Sequence, residues 1–312
     1  LIAMIGYLSV RFFPAQEQSA SPVISTKDET KHMQIYMMDS DKTLVPLSIP
    51  VSEEMSEEDK LALMFSYMSG KQEIKGFTPL FTKECTLQSS SIKNGIVSLY
   101  FDDSLKNYDK ENELRILEAI TWGATQFHDI EQVKLYLNDK QLTSMPNAQT
   151  PIPEILNRSI GINHFETSTT TLHDSASLTV FYTKKVQGNE YMVPKSKRVA
   201  QSQGDALKAS VENILSDISV SSALDQPLYA DDIKVSSFDV YDGSLIVNLN
   251  KNILASNRTV KQDVYNALVL SLAALPGIEK VEVRVDGVTV SPKDQKEDMV
   301  SVYALTYNEV QF

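Results

Sequence analysis

The chain has few of the residues that form disulfide bonds and metal-binding sites. Its 312 residues include one cysteine, Cys85, so an internal disulfide bond is impossible and a cysteine-based metal site is excluded. We expect Cys85 to pack as a small apolar side chain in a strand. A reactive thiol is the alternative, but a stabilised thiolate needs a basic neighbour, and no histidine lies near Cys85 in the sequence.

Other side chains that carry chemistry are also scarce or scattered. The four histidines are His32, His128, His164 and His173. They show no HExxH pattern or other short paired spacing, which argues against a zinc site. Asp102-Asp103 and Asp231-Asp232 lack the glycine-spaced pattern of a calcium loop and are expected to be solvated turn residues. Since no GxSxG, P-loop or GxGxxG motif occurs either, we expect no catalytic, cofactor-binding or metal-binding residues.

Positive charge is outweighed along the whole chain. The formal net charge is −12 at pH 7, and the acidic residues are spread along the sequence instead of forming a tail. Such a chain repels a phosphate backbone, which argues against nucleic acid as a partner.

An apolar run opens the sequence and is too short to cross a bilayer alone. Residues 1–10 are almost all apolar, and Arg11 follows; a complete span needs about 20 such residues. The run therefore predicts a membrane anchor or signal remnant over residues 1–14, with the polar residues 15–31 as its linker. A short buried helix is the alternative.

What the chain does have is an internal repeat. Residues 94–101 read NGIVSLYF, and residues 242–249, beginning 148 positions later, read DGSLIVNL. The same spacing aligns Ala119 with Ala267 and Leu135 with Val283 without a gap. The chain therefore contains two copies of one domain.

The repeat keeps apolar positions and loses polar ones. Leu99 matches Val247, whereas Lys110 faces Arg258 and Arg115 faces Asp263. A duplicated enzyme usually keeps a shared set of acids, bases or ligands in at least one copy. The duplication therefore indicates a conserved core and no reactive site.

Each copy reads as strand, strand, helix, hairpin, helix, strand. Ser56 and Ser202 precede amphipathic segments and are expected to cap their helices. Asn94-Gly95 and Asp242-Gly243 are strong signals for two-residue hairpin turns. The pattern predicts an α+β protein made of two tandem copies of a small mixed or antiparallel sheet, with two helices packed on one face.

These patterns place the domain boundaries. The first domain is expected over residues 32–145 and the second, with a C-terminal extension, over residues 176–312. Residues 146–175 form a linker with three prolines, and we expect it to dock in part through Ile155, Leu156 and Ile160. The alternation near Val300 predicts an added edge strand.

Candidate interaction surfaces come from aromatic and charged residues. Tyr100 alternates out of phase with its apolar neighbours and should point away from the helices. With Tyr303 and Tyr307 of the tail, it suggests a site for cell-wall glycan or peptide. The outer helix faces are expected to carry Lys60, Lys110, Glu111, Glu113 and Glu118 in copy one and Lys208, Glu212, Lys261 and Asp263 in copy two.

The second copy also resembles a known family. A helix ending at Leu275-Pro276-Gly277, followed by a strand that closes at Asp286-Gly287, is similar to the GerMN domain of the GerM-type sporulation and spore germination proteins. The first copy departs from this pattern, with His128-Asp129 and Asn138-Asp139 at the matching positions.

The resemblance implies a non-enzymatic assembly factor between two membranes of a developing spore, with a fold similar to the ring-building modules of secretion machines. It supplies no catalytic residues. The family type is held by an acylated cysteine, and no cysteine precedes Cys85, so attachment would be by a helix. GerMN domains also occur outside sporulation.

We therefore expect a membrane-tethered scaffold, outside the cytoplasm, that binds other membrane or envelope proteins and is monomeric when isolated. A cell-wall glycan or peptide binding module is the alternative, and an enzyme of unknown class comes third.

Overall fold

A computed structural model describes residues 32–164, 175–200, 206–215, 224–225, 227–229, 232–255, 259–292, 299–301 and 306–310. The expected anchor and its linker, residues 1–31, lie outside the described residues, as do Ser202 and Tyr303. Among the described residues, no helix is long and apolar enough to cross a membrane.

The two copies contain the same elements in the same order. The first copy comprises β1 (His32–Met38), β2 (Leu44–Pro50), α1 (Glu57–Met68), β3 (Leu87–Lys93), β4 (Ile96–Phe101), α2 (Glu113–Ala124), β5 (Gln132–Leu137) and β6 (Lys140–Gln141). The second comprises β7 (Ser175–Val186), β8 (Asn189–Ala200), α3 (Ala206–Leu215), β9 (Val235–Tyr241), β10 (Ser244–Leu249), α4 (Gln262–Ala273), β11 (Lys280–Val285), β12 (Val288–Thr289) and β13 (Val300–Ser301). The predicted α+β fold and its duplication are confirmed.

The main sheet of each copy mixes parallel and antiparallel pairing. Its order is β3-β4-β5-β6 in the first copy and β9-β10-β11-β12 in the second. The central pair is parallel in both, with Ile96 opposite Gln132 and Ser244 opposite Lys280. A parallel pair needs a crossover connection, which α2 and α4 provide. β13 pairs with β11, so the predicted C-terminal edge strand is confirmed.

Tight turns lie where the sequence predicts them. Asn94 and Gly95 have φ of 52° and 75°, and Asp242 and Gly243 have φ of 48° and 70°, as a type I′ hairpin turn requires. Asn138-Asp139 also has positive φ at both positions. The first copy thus keeps the turn shape of the closing motif without its glycine.

The helices bury the faces that the sequence spacing indicates. Ile120 on α2 and Leu268 on α4 are both fully buried. At the start of α1, the Ser56 side chain accepts a hydrogen bond from the Asp59 amide, which confirms the predicted cap and satisfies one of the free amides of the first turn.

The first two strands of each copy form a separate hairpin, which the sequence analysis did not separate from the main sheet. β1 pairs only with β2, and β7 with β8, within the described ladders. Residues 44–49 of β2 are all buried, because β1 lies against α1 and α2 while β2 lies against β8 of the other copy. A strand covered on both faces shows no polar alternation.

An asparagine after the first copy clamps the two hairpins together. Asn163 is fully buried. Its Oδ1 accepts a hydrogen bond from the Leu44 amide at 2.8 Å, and its Nδ2 donates to the carbonyls of Leu44 and Pro194 at 2.8 Å each. One side chain therefore satisfies three backbone groups that would otherwise be buried without partners.

A second asparagine does the same from the C-terminal segment. Asn308 Oδ1 accepts from the Met192 amide at 2.8 Å, and Nδ2 donates to the carbonyls of Met192 at 2.8 Å and Pro46 at 2.7 Å. The C-terminal segment thus also joins the two hairpins.

Part of the predicted linker docks on the first copy. The Val133 amide donates to the Leu156 carbonyl at 2.9 Å, and Leu156 is buried. Ile160 is half-buried, as expected for a docked side chain. Ile155 is 55% exposed, so the expectation that it docks was wrong: its neighbour takes the buried position.

Candidate functional site

The outer face of the first main sheet carries a pair of stacked tyrosines. Leu99 and Phe101 of β4 are buried against the helices, and Tyr100 between them points to the opposite face, as predicted. Tyr100 lies opposite Tyr136 of β5, with ring centroids 4.7 Å apart and an interplanar angle of 24°. The Tyr136 hydroxyl lies 3.4 Å from Gln141 Oε1. The pair offers an aromatic surface with hydroxyl groups at its edge.

The same positions of the second sheet have different chemistry. Asn248 lies opposite Arg284, and Arg284 donates to both carboxylate oxygens of Glu282, at 2.6 and 3.0 Å. Burial disfavours the charged Glu282, but hydrogen bonds from Arg284 and Thr289 hold its pKa below the ordinary value. The two outer faces therefore present different chemical groups to the solvent.

Glu113 was expected on an outer helix face, and that expectation was wrong. The side chain is 1% exposed. It accepts hydrogen bonds from the amides of Asn147, Ala148 and Thr150 and from the Tyr108 hydroxyl, at 2.7 to 3.0 Å. Burial opposes ionisation, but these donors outweigh it and lower the pKa of Glu113 to about 2. The carboxylate fastens the segment after β6 to α2.

Glu118 is likewise buried instead of exposed. Its Oε2 accepts from Arg115 Nη1 at 2.7 Å and from the Asn163 amide at 3.1 Å. His164 Nδ1 lies 3.6 Å from Oε1. The carboxylate holds Asn163 in the position from which it clamps the hairpins. The helix face predicted from charge alone is covered because the chain after β6 folds back over α2.

Cys85 and Tyr307 are buried structural residues. Cys85 is 1% exposed and lies before β3, not within a strand as expected. Burial raises the pKa of its thiol to about 12, which opposes the alternative of a reactive thiol. Tyr307 is 6% exposed, with its ring against Phe181 at 5.8 Å, so it cannot serve as the exposed glycan contact we considered.

The histidines and turn acids of the described residues do not form a metal site. Asp102 caps a short 3₁₀ helix by accepting from the Ser104 amide at 2.9 Å, as expected for a turn residue. No three histidine, cysteine or acidic side chains converge within the described part of the chain; His173 and Asp231 lie outside it. An open groove of about 890 Å³ beside Asp39, Lys42 and Tyr108 mixes acids, lysines and apolar atoms.

Sequence reasoning missed the residues that join the copies, above all Asn163 and Asn308. Two signals were available. Each asparagine follows an apolar residue, Ile162 or Tyr307, after the last strand of its copy's repeat, and β2 reads as an apolar run, which is typical of a strand covered on both faces.

Comparisons with known proteins agree with this geometry. A family model described as sporulation and spore germination matches residues 34–143 and 179–291. The spore germination protein GerM of Bacillus subtilis (strain 168) is 30% identical over 279 residues, which is 87% of this chain and 76% of the relative.

A solved structure covers both copies at once. The tandem GerMN domains of the sporulation protein GerM from Bacillus subtilis superpose with a TM-score of 0.78 at 28% identity, covering 90% of this chain and 99% of that structure. The resemblance drawn from the closing motif of the second copy is confirmed.

Proposed function

Because this chain belongs to the sporulation and spore germination family, we propose that it acts in sporulation or germination as a non-enzymatic scaffold. The scaffold is tethered to the membrane through residues 1–14 and displays its two copies outside the cytoplasm. Each outer sheet face contacts a different membrane or envelope protein, and the isolated protein is a monomer.

One contrast supports this proposal above other observations. The buried acidic side chains of α2 form hydrogen bonds within the protein, while the outer faces of the two main sheets carry different side chains. Glu113 and Glu118 accept hydrogen bonds from backbone amides and a neighbouring arginine. Tyr100 and Tyr136 face outward in one copy, Asn248 and Arg284 in the other. An acid whose pKa is lowered to about 2, as that of Glu113 is, is a poor proton-transfer group, and distinct outer faces suit distinct protein contacts.

The scaffold role is tested by complementing a deletion strain of the natural host. Tyr100→Ser/Tyr136→Ser and Asn248→Ala/Arg284→Ala are compared with Lys208→Ala/Glu212→Ala, which removes an exposed ion pair on α3. We expect each outer-face variant to accumulate normally and to reduce the yield of germinating spores, and the α3 variant to behave as wild type. Full complementation by both outer-face variants would contradict the proposal.

The tether is tested by fractionating the host cells. We expect the full-length protein to sediment with membranes at high salt and to be released by detergent. Recovery of the full-length protein in the soluble cytosol would end the tethered version.

The oligomeric state is tested by sedimentation of residues 32–312. We expect a monomer at micromolar concentration, and a stable closed oligomer at that concentration would refute assembly that depends on partners.

A second function, binding of cell-wall glycan or peptide, is favoured by the stacked Tyr100–Tyr136 pair, since aromatic rings with hydroxyl tips combine apolar and polar contact. Residues 32–312 would be mixed with purified peptidoglycan. Retention that the Tyr100→Ser/Tyr136→Ser variant loses would support this function, and no retention at moderate salt would remove it.

A further inference from the structure

The contacts between the two copies obey an approximate two-fold exchange. By the repeat spacing of 148, Leu44 corresponds to Met192 and Pro46 to Pro194. Asn163 bonds both backbone groups of Leu44 and the carbonyl of Pro194; Asn308 bonds both backbone groups of Met192 and the carbonyl of Pro46. Exchanging Leu44 with Met192 and Pro46 with Pro194 turns the contacts of Asn163 into those of Asn308, which is the pattern of an isologous interface.

These mirrored contacts do not depend on which copy is paired. Each asparagine reaches a carbonyl oxygen of the facing hairpin, and every non-terminal residue has such an oxygen. By these contacts alone, a first copy could pair with another first copy as well as with a second copy. Other residues must therefore determine whether a first copy pairs with a second copy or with another first copy.

The pseudo-two-fold axis passes between two residues of opposite charge. Met38 pairs with Leu44, and Thr183 pairs with Met192. The next residues along the chain, Asp39 and Lys184, are therefore counterparts in the two copies. Their spacing is 145 and not 148, because the second hairpin has three more residues between these paired positions. Lys184 Nζ lies 2.5 Å from Asp39 Oδ2, and a residue touches its own counterpart only at a two-fold axis.

The pair is buried and further supported from the first copy. Asp39 and Lys184 are 3% and 4% exposed. Lys184 Nζ donates to Thr43 Oγ1 at 2.8 Å and lies 3.0 Å from the carboxylate of Asp41, which is largely exposed. Pairing like with like would place Asp39 against Asp39, or Lys184 against Lys184, without water to screen them. Buried like charges are strongly unfavourable.

We propose that Asp39 and Lys184 determine the pairing of this interface. Their opposite charges make a first copy pair with a second copy and prevent two first copies, or two second copies, from pairing. When one of the two charges is reversed in one chain and the other charge in a second chain, the first copy of each chain pairs with the second copy of the other chain. The partner is another molecule of this protein, joined by reciprocal exchange of its two copies.

The test uses full-length chains in an Asp41→Asn background, so that only the axial pair differs. Asp39→Lys and Lys184→Asp each create a like-charged pair, and we expect each alone to lower the melting temperature by about 10 °C. The chain carrying both changes has the pair reversed across the axis, and we expect it to regain at least half of that loss as a monomer. Glu73→Lys and Lys83→Glu, which disrupt an exposed ion pair, are the matched controls and should shift it by about 2 °C or less.

The decisive sample is an equimolar mixture of the two single variants, refolded together and analysed by sedimentation and melting. Reciprocal pairing brings the lysine introduced in one chain against the aspartate introduced in the other, and it restores the native contact between Asp39 and Lys184 at the second interface. We expect a species of twice the chain mass, containing one of each chain, that melts above either variant alone.

Three results would overturn the proposal. One is a mixture that keeps the masses and melting temperatures of its separate components. Another is a doubly reversed chain that is no more stable than the single variants. Dimers in either variant alone would also contradict it, since each then carries only like charges at the axis.

Discussion

On the outer face of the first main sheet, Tyr100 stacks on Tyr136, whereas the same positions of the second sheet hold Asn248 and Arg284. Beneath these faces the two copies agree, because the alternate positions of β4 and β10 are apolar and buried in both. The contrast teaches that the apolar residues that pack within each copy were retained after duplication, while the residues on the outer faces diverged.

Core positions should show the strongest agreement between the copies. Ile120→Ala in α2 and Leu268→Ala in α4 each remove a fully buried side chain from the same position of the repeat. We expect each to lower the free energy of unfolding by about 2–5 kcal/mol, measured by urea titration. Because the two helices pack on different sheets, the losses should add within about 0.5 kcal/mol; a larger coupling would show one shared core.

Unlike the core substitutions, substitutions of the two clamp asparagines, Asn163 and Asn308, should lower stability in a non-additive way. Asn163→Ala and Asn308→Ala each leave three backbone groups without their partner, and we expect each to cost about 2–4 kcal/mol. Since both clamp one interface, the double variant should lose less than the two losses combined, by at least about 0.5 kcal/mol. Asn252→Ala, at an exposed position, is the control; strict additivity of the clamps would contradict a shared interface.

Glu113 has no acidic counterpart, since the matching residue of the second copy is Lys261. Its pKa is lowered from 4.5 to about 2 by hydrogen bonds that outweigh burial. A lowered pKa contributes stability that is present above about pH 4.5 and is lost as the pH falls towards 2. Glu113→Gln should cost about 1–3 kcal/mol at pH 7 and flatten the decline of stability between pH 4.5 and 2. An unchanged acid profile would show that Glu113 does not govern it.

The outer faces should matter least for stability. Tyr100→Ser and Asn248→Ala remove side chains from solvent-facing positions, and we expect each to change the free energy of unfolding by no more than about 0.5–1 kcal/mol. If either substitution lowers the free energy of unfolding by more than about 2 kcal/mol, that face is packed in the interior and is not a free interaction surface.

Much of the fold could be predicted from the sequence because local signals and the repeat agree. The turns at Asn94-Gly95 and Asp242-Gly243 require positive φ, and the spacing around Ile120 and Leu268 predicts one buried helix face. These features depend on residues close together in the chain, and each is present twice.

The interface and its residues could not be predicted in the same way. Asn163 contacts Leu44 across 119 positions, and no local pattern reports such a contact. Glu113 and Glu118 are charged residues of a helix, which is typical of solvated positions, and only the segment folded over α2 buries them. The outward direction of Tyr100 followed from alternation, but its stacking on Tyr136 depends on the parallel register of β4 and β5.

The two copies form one closed unit through an interface with two equivalent asparagine clamps, and amide hydrogen exchange can show whether the two clamps depend on each other. The amides of Leu44 and Met192 each donate to a clamp asparagine at 2.8 Å. We predict that both are strongly protected in the wild-type chain, and that Asn163→Ala speeds exchange at Met192 as well as at Leu44, with the reverse for Asn308→Ala. Loss of protection confined to the amide next to the altered asparagine would contradict the account.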